Sequence, residues 1–303
     1  MRARAHLALF LIGALAASEA QHRGHECWHY LPESLSWYDG CLKAQAHPIR
    51  FKMDPQNWFE KGQVQTINLN ETDVILMRQD PPFDMHYITL THLLEQISDQ
   101  TLIVNDPVAV RNSPEKLMIM NYRQFLPPTL ISREPDEIKA FKDEHHDIIV
   151  KPLFGNGGAG VFYLSRLDPN LPSLLEMFLN LSREPLMVQK FISNISKGDV
   201  RIILIDGEIA GAINRIPPNG QIRSNMHVGG HAIKTQIDQR MSEICGAIGS
   251  DLKKSGIILA GLDVIDGYLT EINVTSPTGI QEINHFDNAQ LDKLFWEAVE
   301  KRF

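Results

Sequence analysis

The sequence predicts an α/β N-terminal unit followed by a larger α+β unit, with a boundary near residue 110 that divides the chain into 1–110 and 111–303. Three observations carry that reading. Up to about residue 106, short apolar runs alternate with a segment of helical period, as in an α/β unit. Beyond residue 186, apolar stretches turn back on themselves at Asp-Gly pairs, which marks β-hairpins. Stretches of helical period flank the last hairpin, so the second unit mixes strands and helices without strict alternation.

Two arginines precede an apolar run from Leu7 to Ala17, and small residues follow. This is the pattern of a secretory signal, too short for a membrane span. The alternative is a helix that stops near Gly24. Sequons at Asn70, Asn180 and Asn273 carry weight only on a secretory route. DVILMRQD (Asp73–Asp80) reads as a buried strand running into a Pro81-Pro82 turn, Tyr87 to Ile97 as a helix, and TLIVND (Thr101–Asp106) as another strand. A helix opens next, with Ser113 as N-cap and Pro114 at its first position. Pro127-Pro128 breaks the pattern, and Glu134 to His145 is a polar helix. Strands follow at Asp147–Pro152, Val161–Ser165 and Leu186–Ile192. Hairpins span Val200–Ile216 and Ile257–Val274, turning at Asp206-Gly207 and Asp266-Gly267. Helices near Gln236–Ser255 and Asn288–Lys301 flank the final hairpin.

Composition narrows the function. At 43% hydrophobic and 22% charged, the 303 residues can bury a core. Lys plus Arg is 29 and Asp plus Glu 37, a net charge of −8 that argues against nucleic acid as a partner. No other long apolar segment appears, so no membrane is expected. Cys27, Cys41 and Cys245 are too few and too scattered for a disulfide framework or a CxxC zinc site, and a reducing compartment is the simpler reading.

Gly155, Asn156, Gly157, Gly158, Ala159 and Gly160 match GxGxxG, but Val161 to Leu164 after them is strand rather than helix. A dinucleotide fingerprint needs the helix. The segment is therefore a hairpin whose tip can fold over phosphates, since backbone N–H groups without Cβ neighbours come close to oxygens. A flexible surface turn is the plain alternative. Lys151 ends the strand before this loop, where its ammonium can meet the same phosphates. Lys116 is a second cation, in the first turn of its expected helix, where it opposes the helix dipole unless it serves an anion.

Glu271 and Asn273 share one strand face by period-two alternation, and a carboxylate with an amide oxygen suits Mg²⁺. Asp263 sits on the partner strand. A two-residue turn would put Asp263 opposite Thr270, facing away from Glu271. A three-residue turn, Ile265 to Gly267, would pair Val264 with Tyr268 and bring Asp263 to the face of Glu271. If all three residues serve Mg²⁺, the second register is expected. Arg201, Arg215 and Arg223 lie close to strand ends. Three guanidinium forks near a Mg-nucleotide suit a small polycarboxylate or its acyl phosphate.

Five segments together resemble the prokaryotic-type glutathione synthetases of the ATP-grasp ligase superfamily. They are DVILMRQDPPFDMHYI (Asp73–Ile88), IIVKPLFGNGGAGVF (Ile148–Phe162), GDVRIILIDGEIAGAINRIP (Gly198–Pro217), IRSNMHVGG (Ile222–Gly230) and GLDVIDGYLTEINVTSPTGIQEI (Gly261–Ile283). The likeness runs from about Ala16 to the C-terminus. It implies an ATP-grasp fold in the second unit and ATP-dependent joining of γ-glutamylcysteine to glycine, releasing ADP and phosphate. It implies ATP and Mg²⁺ as cofactors, with Mn²⁺ as a substitute, and a homotetramer.

Carried over by residue, Lys116 and Lys151 look like the ATP-phosphate lysines, and Gly155 to Gly160 like the mobile loop over the γ-phosphate. Gln189, Lys190, Phe191 and Ile192 match the segment whose backbone meets adenine, and Asp199 the ribose contact. Asp263, Glu271 and Asn273 match the Mg²⁺ ligands. Arg201, Arg215, Arg223, Asn225 and the Gly229-Gly230 pair match the region near phosphates and substrate, with the arginines as the catalytic set. The family opens with a strand and a Ser-containing turn that the first fifteen residues do not match. The signal-like start is therefore expected to be an altered start of the first helix, and the compartment the cytoplasm. Val200 stands where the family usually has Lys. Three other outcomes stay open: a different ATP-grasp carboxylate–amine ligase, an ATP-binding homologue without turnover, or, as the weakest, a secreted binding protein.

Overall fold

The computed structural model describes residues 16–52, 58–226 and 229–303. The signal-like run and the altered start expected for the first fifteen residues lie outside the described residues. Helix α1 is described over 16–22. Ala20 packs there against Phe295, Trp296 and Val299 near the other end of the chain.

The first unit begins with five antiparallel strands gathered on one long member. Strands β1 (Cys27–Tyr30), β2 (Ser36–Tyr38), β4 (Phe59–Lys61) and β5 (Gln65–Asn68) all pair with β3 (Cys41–Phe51). This sheet was not foreseen. Its signal was nonetheless present, because Leu42, Ala44 and Ala46 alternate with polar neighbours and all three are buried. The expected α/β element follows. Strands β6 (Val74–Leu76) and β7 (Leu102–Val104) are parallel, and α2 (Met85–Glu95) crosses between them. Asp84 caps α2 by accepting from the Tyr87 N–H at 3.0 Å.

The next helix differs from expectation. α3 spans Pro107–Arg111, capped by Asp106 with Pro107 at its first position. Ser113 to Leu117 forms a turn instead, closed by Leu117 N–H on the Pro114 oxygen at 2.9 Å, before a 3₁₀ stretch at Met118–Phe125. Asp106-Pro107 and Ser113-Pro114 carry the same cap-and-proline signature. Tertiary bonds decide between them: Glu115 gives its main-chain oxygen to the Ile272 N–H at 3.2 Å and its Oε1 to the Thr275 hydroxyl at 2.9 Å. Lys116 therefore sits on a turn, and no helix dipole opposes it.

Two antiparallel sheets make the second unit. In the first, β8 (Thr129–Ser132), β9 (Ile148–Pro152), β10 (Phe162–Leu164) and β11 (Leu186–Lys190) lie in the order β10-β9-β11-β8. α4 (Pro135–His145) and α5 (Leu171–Leu181) cover one face, burying Ile138, Leu174 and Phe178 against Ile148, Val150 and Val188. In the second sheet β12 (Asp199–Ile205), β13 (Glu208–Ile216), β14 (His231–Lys234), β15 (Leu259–Ile265) and β16 (Tyr268–Asn273) lie in the order β14-β13-β12-β15-β16. α6 (Gln239–Lys254) packs Ile244, Ile248 and Leu252 into the cluster that holds Ile202, Leu204, Leu262 and Val264. α7 (Ile280–Asp287) and α8 (Leu291–Glu300) pack into the cluster holding Ile203 and Ile213. That arrangement leaves the polar end of the same sheet face uncovered by helix.

Asn105 ties the first unit to the second sheet. Its buried amide donates to the oxygens of Leu259 at 2.8 Å and Val274 at 2.7 Å. Its oxygen accepts the N–H groups of Ile258 and Leu259, both at 2.9 Å.

The β15–β16 hairpin reaches the expected face by another route. The turn is the two-residue one: Ile265 pairs with Tyr268, and Asp266 and Gly267 have φ of 50° and 77°. Val264 pairs with Leu269, not Tyr268. The register then shifts, Thr270 becomes the extra residue of a β-bulge, and Asp263 stands opposite Glu271. The Thr270 hydroxyl donates to the Asp263 oxygen at 3.1 Å.

Candidate active site

The two sheets of the second unit bound an open cavity of about 890 Å³. Lys116, Lys151, Gly155, Asn156, Gly157, Gly158, Ala159, Gln189, Lys190, Phe191, Ile192, Asp199, Arg223, Asn225, Asp263 and Glu271 all line it. Strand alternation explains much of this. Ile149 and Lys151 turn toward the cavity because Ile148 and Val150 are buried against α4 and α5. Gln189, opposite Ile149, shares their face.

The floor is a charged network on the second sheet. Asp263 accepts a fork from Arg201, with Nη2 to Oδ2 at 2.9 Å, and meets Arg215 Nη2 at 2.9 Å. Arg215 also pairs with Asp199, which accepts from the Ser224 hydroxyl at 2.8 Å. Burial alone would raise the Asp263 carboxyl, but Arg201 and Arg215 together hold it well below the usual carboxylate range. Arg201 and Arg215 do not line the cavity. Their forks are spent on Asp263 and Asp199 beneath it, so of the three arginines only Arg223 faces the open space.

Asn273 also stays off the lining. Its amide nitrogen lies 3.3 Å from the Gly261 oxygen and 3.5 Å from Asp263 Oδ2. Its strand face is still that of Asp263 and Glu271, so two carboxylates and an amide converge. Such an all-oxygen donor set fits a hard divalent cation, with carboxylate charge to meet it. Asp199 keeps a buried Oδ1 with no hydrogen-bond partner among the described residues.

The cations stand opposite the carboxylates. Lys116 Nζ is 3.1 Å from Glu271 Oε1 and also donates to the Gly155 oxygen. Burial lowers the Lys151 ammonium to about 8, with Glu271 opposing the shift and Lys116 adding to it. Burial and then Glu271 push the Glu115 carboxyl up to about 7.

The glycine loop leans on the segment after β13. At Gly158, φ is 78° and a Cβ would lie 2.9 Å from Asn225 Oδ1, so only glycine lets the loop rest on Arg223 and Asn225. Gly160 (φ 71°) lies at the foot of the loop against Pro152, off the lining. Gly229 and Gly230 are off it too. A Cβ on Gly230 would sit 2.0 Å from the Ser224 oxygen, so that glycine lets the chain pack behind Ser224. Sequence reasoning missed Ser224 and the apolar lining of Ile149, Val161, Ile195, Ile222 and Ile265. Ser224, inside Arg223-Ser224-Asn225, was the most accessible of these.

Comparison with known proteins agrees with this architecture. The model of the prokaryotic glutathione synthetase N-terminal domain matches residues 14–111, and that of the prokaryotic glutathione synthetase ATP-grasp domain matches 115–288. A glutathione synthetase of Mesorhizobium japonicum is 53% identical over 93% of this chain and 90% of its own length. One from Brucella melitensis is 53% identical over 94% and 91%. Among solved structures, D-cycloserine synthetase DcsG aligns with TM-score 0.61 at 16% identity over 78% of this chain and 86% of its own. The ATP-grasp ligase PsnB, in complex with a phosphomimetic precursor variant, Mg and ADP, aligns with TM-score 0.59 at 17% identity over 96% and 94%. At such identities the structural likeness speaks for the fold alone.

Proposed function

The chain belongs to the prokaryotic glutathione synthetase family, and we propose that the cavity between its two sheets is where it joins γ-glutamylcysteine to glycine with ATP. The activity class is ATP-dependent carbon–nitrogen ligation. One observation carries the assignment of the site. Asp263, Glu271 and Asn273 share one sheet face, and the cavity above them also holds Lys116, Lys151 and the glycine loop.

In this reading the cysteinyl carboxylate attacks the γ-phosphorus of ATP, ADP leaves, and an acyl phosphate forms. The glycine amine then attacks the acyl carbon, loses a proton, and phosphate leaves. Lys116 and Lys151 hold the phosphate oxygens and offset their charge. Mg²⁺, for which Asp263, Glu271 and Asn273 are the ligand set, adds further neutralisation when bound. Mn²⁺ suits the same oxygens. Arg201 and Arg215 position Asp263 from below. Arg223 and the N–H groups of the glycine loop, whose residues 155–159 line the cavity, would stabilise the tetrahedral oxyanion and exclude water from the acyl phosphate. The Gln189–Ile192 strip takes the base, and the open oxygen of Asp199 a ribose hydroxyl. A homotetramer and a cytoplasmic setting complete the proposal, both on family resemblance. The domain limits 1–110 and 111–303 belong to it as well.

The test is mass-spectrometric detection of glutathione from purified protein, ATP, Mg²⁺ and the two substrates. Product only with another acid–amine pair would make it a different ligase, and ATP binding without product from any pair a non-catalytic homologue.

Lys151 gives a pH prediction. Its folded value near 8 lies below the ordinary 10.5, so the unfolded chain holds more protons between them. In the free protein this group's contribution to stability therefore grows as pH rises from about 8 to 10.5. The charge that meets phosphate is lost over the same rise. We expect kcat/KM for ATP to fall above pH 8 in the wild type, and the fall to vanish in Lys151→Met. A flat profile from pH 7 to 9.5 would remove Lys151 from phosphate binding.

A further inference from the structure

Gln189 reaches the large cavity from β11, directly opposite Ile149 of β9, with Lys151 two residues along from Ile149 on the same face. Ile149, Val161, Phe191 and Ile265 give the cavity apolar walls. In such a lining a buried amide carries much of the hydrogen-bond information, and Gln189 is only 4% exposed.

The orientation of that amide is decided on its other side. Thr129 of β8 stands directly opposite Gln189, and Gln189 Nε2 donates to Thr129 Oγ1 at 3.0 Å. The Thr129 hydroxyl has one proton, which goes to the Pro127 oxygen at 2.8 Å. A carbonyl oxygen only accepts, so the direction of that bond is fixed. Thr129 Oγ1 is left with lone pairs alone, and Gln189 must turn its nitrogen to it, not its oxygen. Among the described residues no hydrogen bond reaches Gln189 Oε1. The relay thus leaves that oxygen as the amide's open group in the cavity. Pro127, which in the sequence marked only a break in pattern, supplies the last acceptor of the chain.

We infer that Thr129 is a positioning residue for base selection: with Pro127 it locks the Gln189 amide so that an acceptor, never a donor, meets the base. The cavity then takes a nucleotide whose base offers an amino hydrogen at that edge, as adenine does. It rejects the 6-oxo counterpart, hypoxanthine, which would set oxygen against oxygen. Turning the amide over would bring Oε1 against Thr129 Oγ1, or draw the Thr129 proton away from Pro127. Either way one hydrogen bond is lost. The inference rests on the function proposed above, which lays the base along Gln189–Ile192. It adds the atom that chooses the base and the residue, outside the ligand's reach, that fixes it.

Calorimetry with Mg²⁺ and either ADP or IDP measures the choice, because the two nucleotides differ by amino against oxo at that edge. Wild type should bind ADP at least about tenfold more tightly than IDP. Thr129→Val keeps the β-branch and removes the hydroxyl, so the amide is free to turn. Its preference should shrink about fivefold, mainly through tighter IDP binding, with Kd for ADP within about threefold of wild type. Thr129→Ser restores the hydroxyl and should hold the wild-type preference within about twofold. Gln189→Leu removes the acceptor and should abolish the preference. Circular dichroism checks that each variant is folded. A smaller wild-type preference, a Thr129→Val preference within about twofold of wild type, or a preference kept in full by Gln189→Leu would overturn the inference. Glutathione formed by the same wild-type protein would leave the functional reading standing in each case. Selective ADP binding without glutathione would defeat the ligase reading and keep the base choice, and no binding of either nucleotide would defeat both.

Discussion

Glu271→Ala is expected to cut glutathione formation on the order of 10²–10³-fold while leaving a folded protein. The carboxylate does three things at once. It belongs to the oxygen set that fits a divalent cation, and it is the ion partner of Lys116 at 3.1 Å. It is also the strongest influence holding a proton on Lys151 against burial. Removing it takes one oxygen from that proposed cation set, the ion partner from Lys116 and the largest favourable charge from Lys151, where Asp199 and Asp263 remain. Its side chain is partly exposed, so little packing is lost. Coupled phosphate release with both substrates measures the effect, and circular dichroism checks the fold. Activity above one-tenth of wild type would take Glu271 out of the metal role.

Asn105→Leu is expected to destabilise the chain by about 3–5 kcal/mol. The amide makes four bonds to backbone groups of Ile258, Leu259 and Val274. Leucine fills a similar volume and satisfies none of them. Asn105→Asp separates the halves of the clamp, since it keeps the acceptor for Ile258 and Leu259 and loses the donor to Leu259 and Val274. It should also destabilise, because a carboxylate would face two carbonyl oxygens. Urea unfolding measures both, and a loss under about 1 kcal/mol in Asn105→Leu would remove the clamp as a determinant of stability.

Much of the second unit was legible in the sequence because its signals are local. Asp206-Gly207 and Asp266-Gly267 announce their turns, and both aspartates adopt the positive φ that such turns need. The strand after Gly160 showed that the glycine run belongs to a hairpin rather than a dinucleotide fold. What escaped depends on partners far along the chain. Ser113-Pro114 and Asp106-Pro107 are equivalent signals, and only the bonds from Glu115 to Ile272 and Thr275 decide which one starts a helix. Arg201 and Arg215 looked like substrate forks, and nothing near them in sequence told that Asp263 and Asp199 would fill them. Helix α5 and strand β3 went unread although their periodicity was available.

The bulge at Thr270 makes the hairpin sensitive to odd and even counts. Between the turn and Glu271, one surplus residue converts the parity that the Asp266-Gly267 turn would otherwise impose. Deleting that residue, or inserting one beside it, would swap inside for outside along the rest of the strand. Glu271 and Asn273 would point into hydrocarbon, and Ile272 into the cavity. Changes of length in this hairpin are therefore tolerable only in pairs.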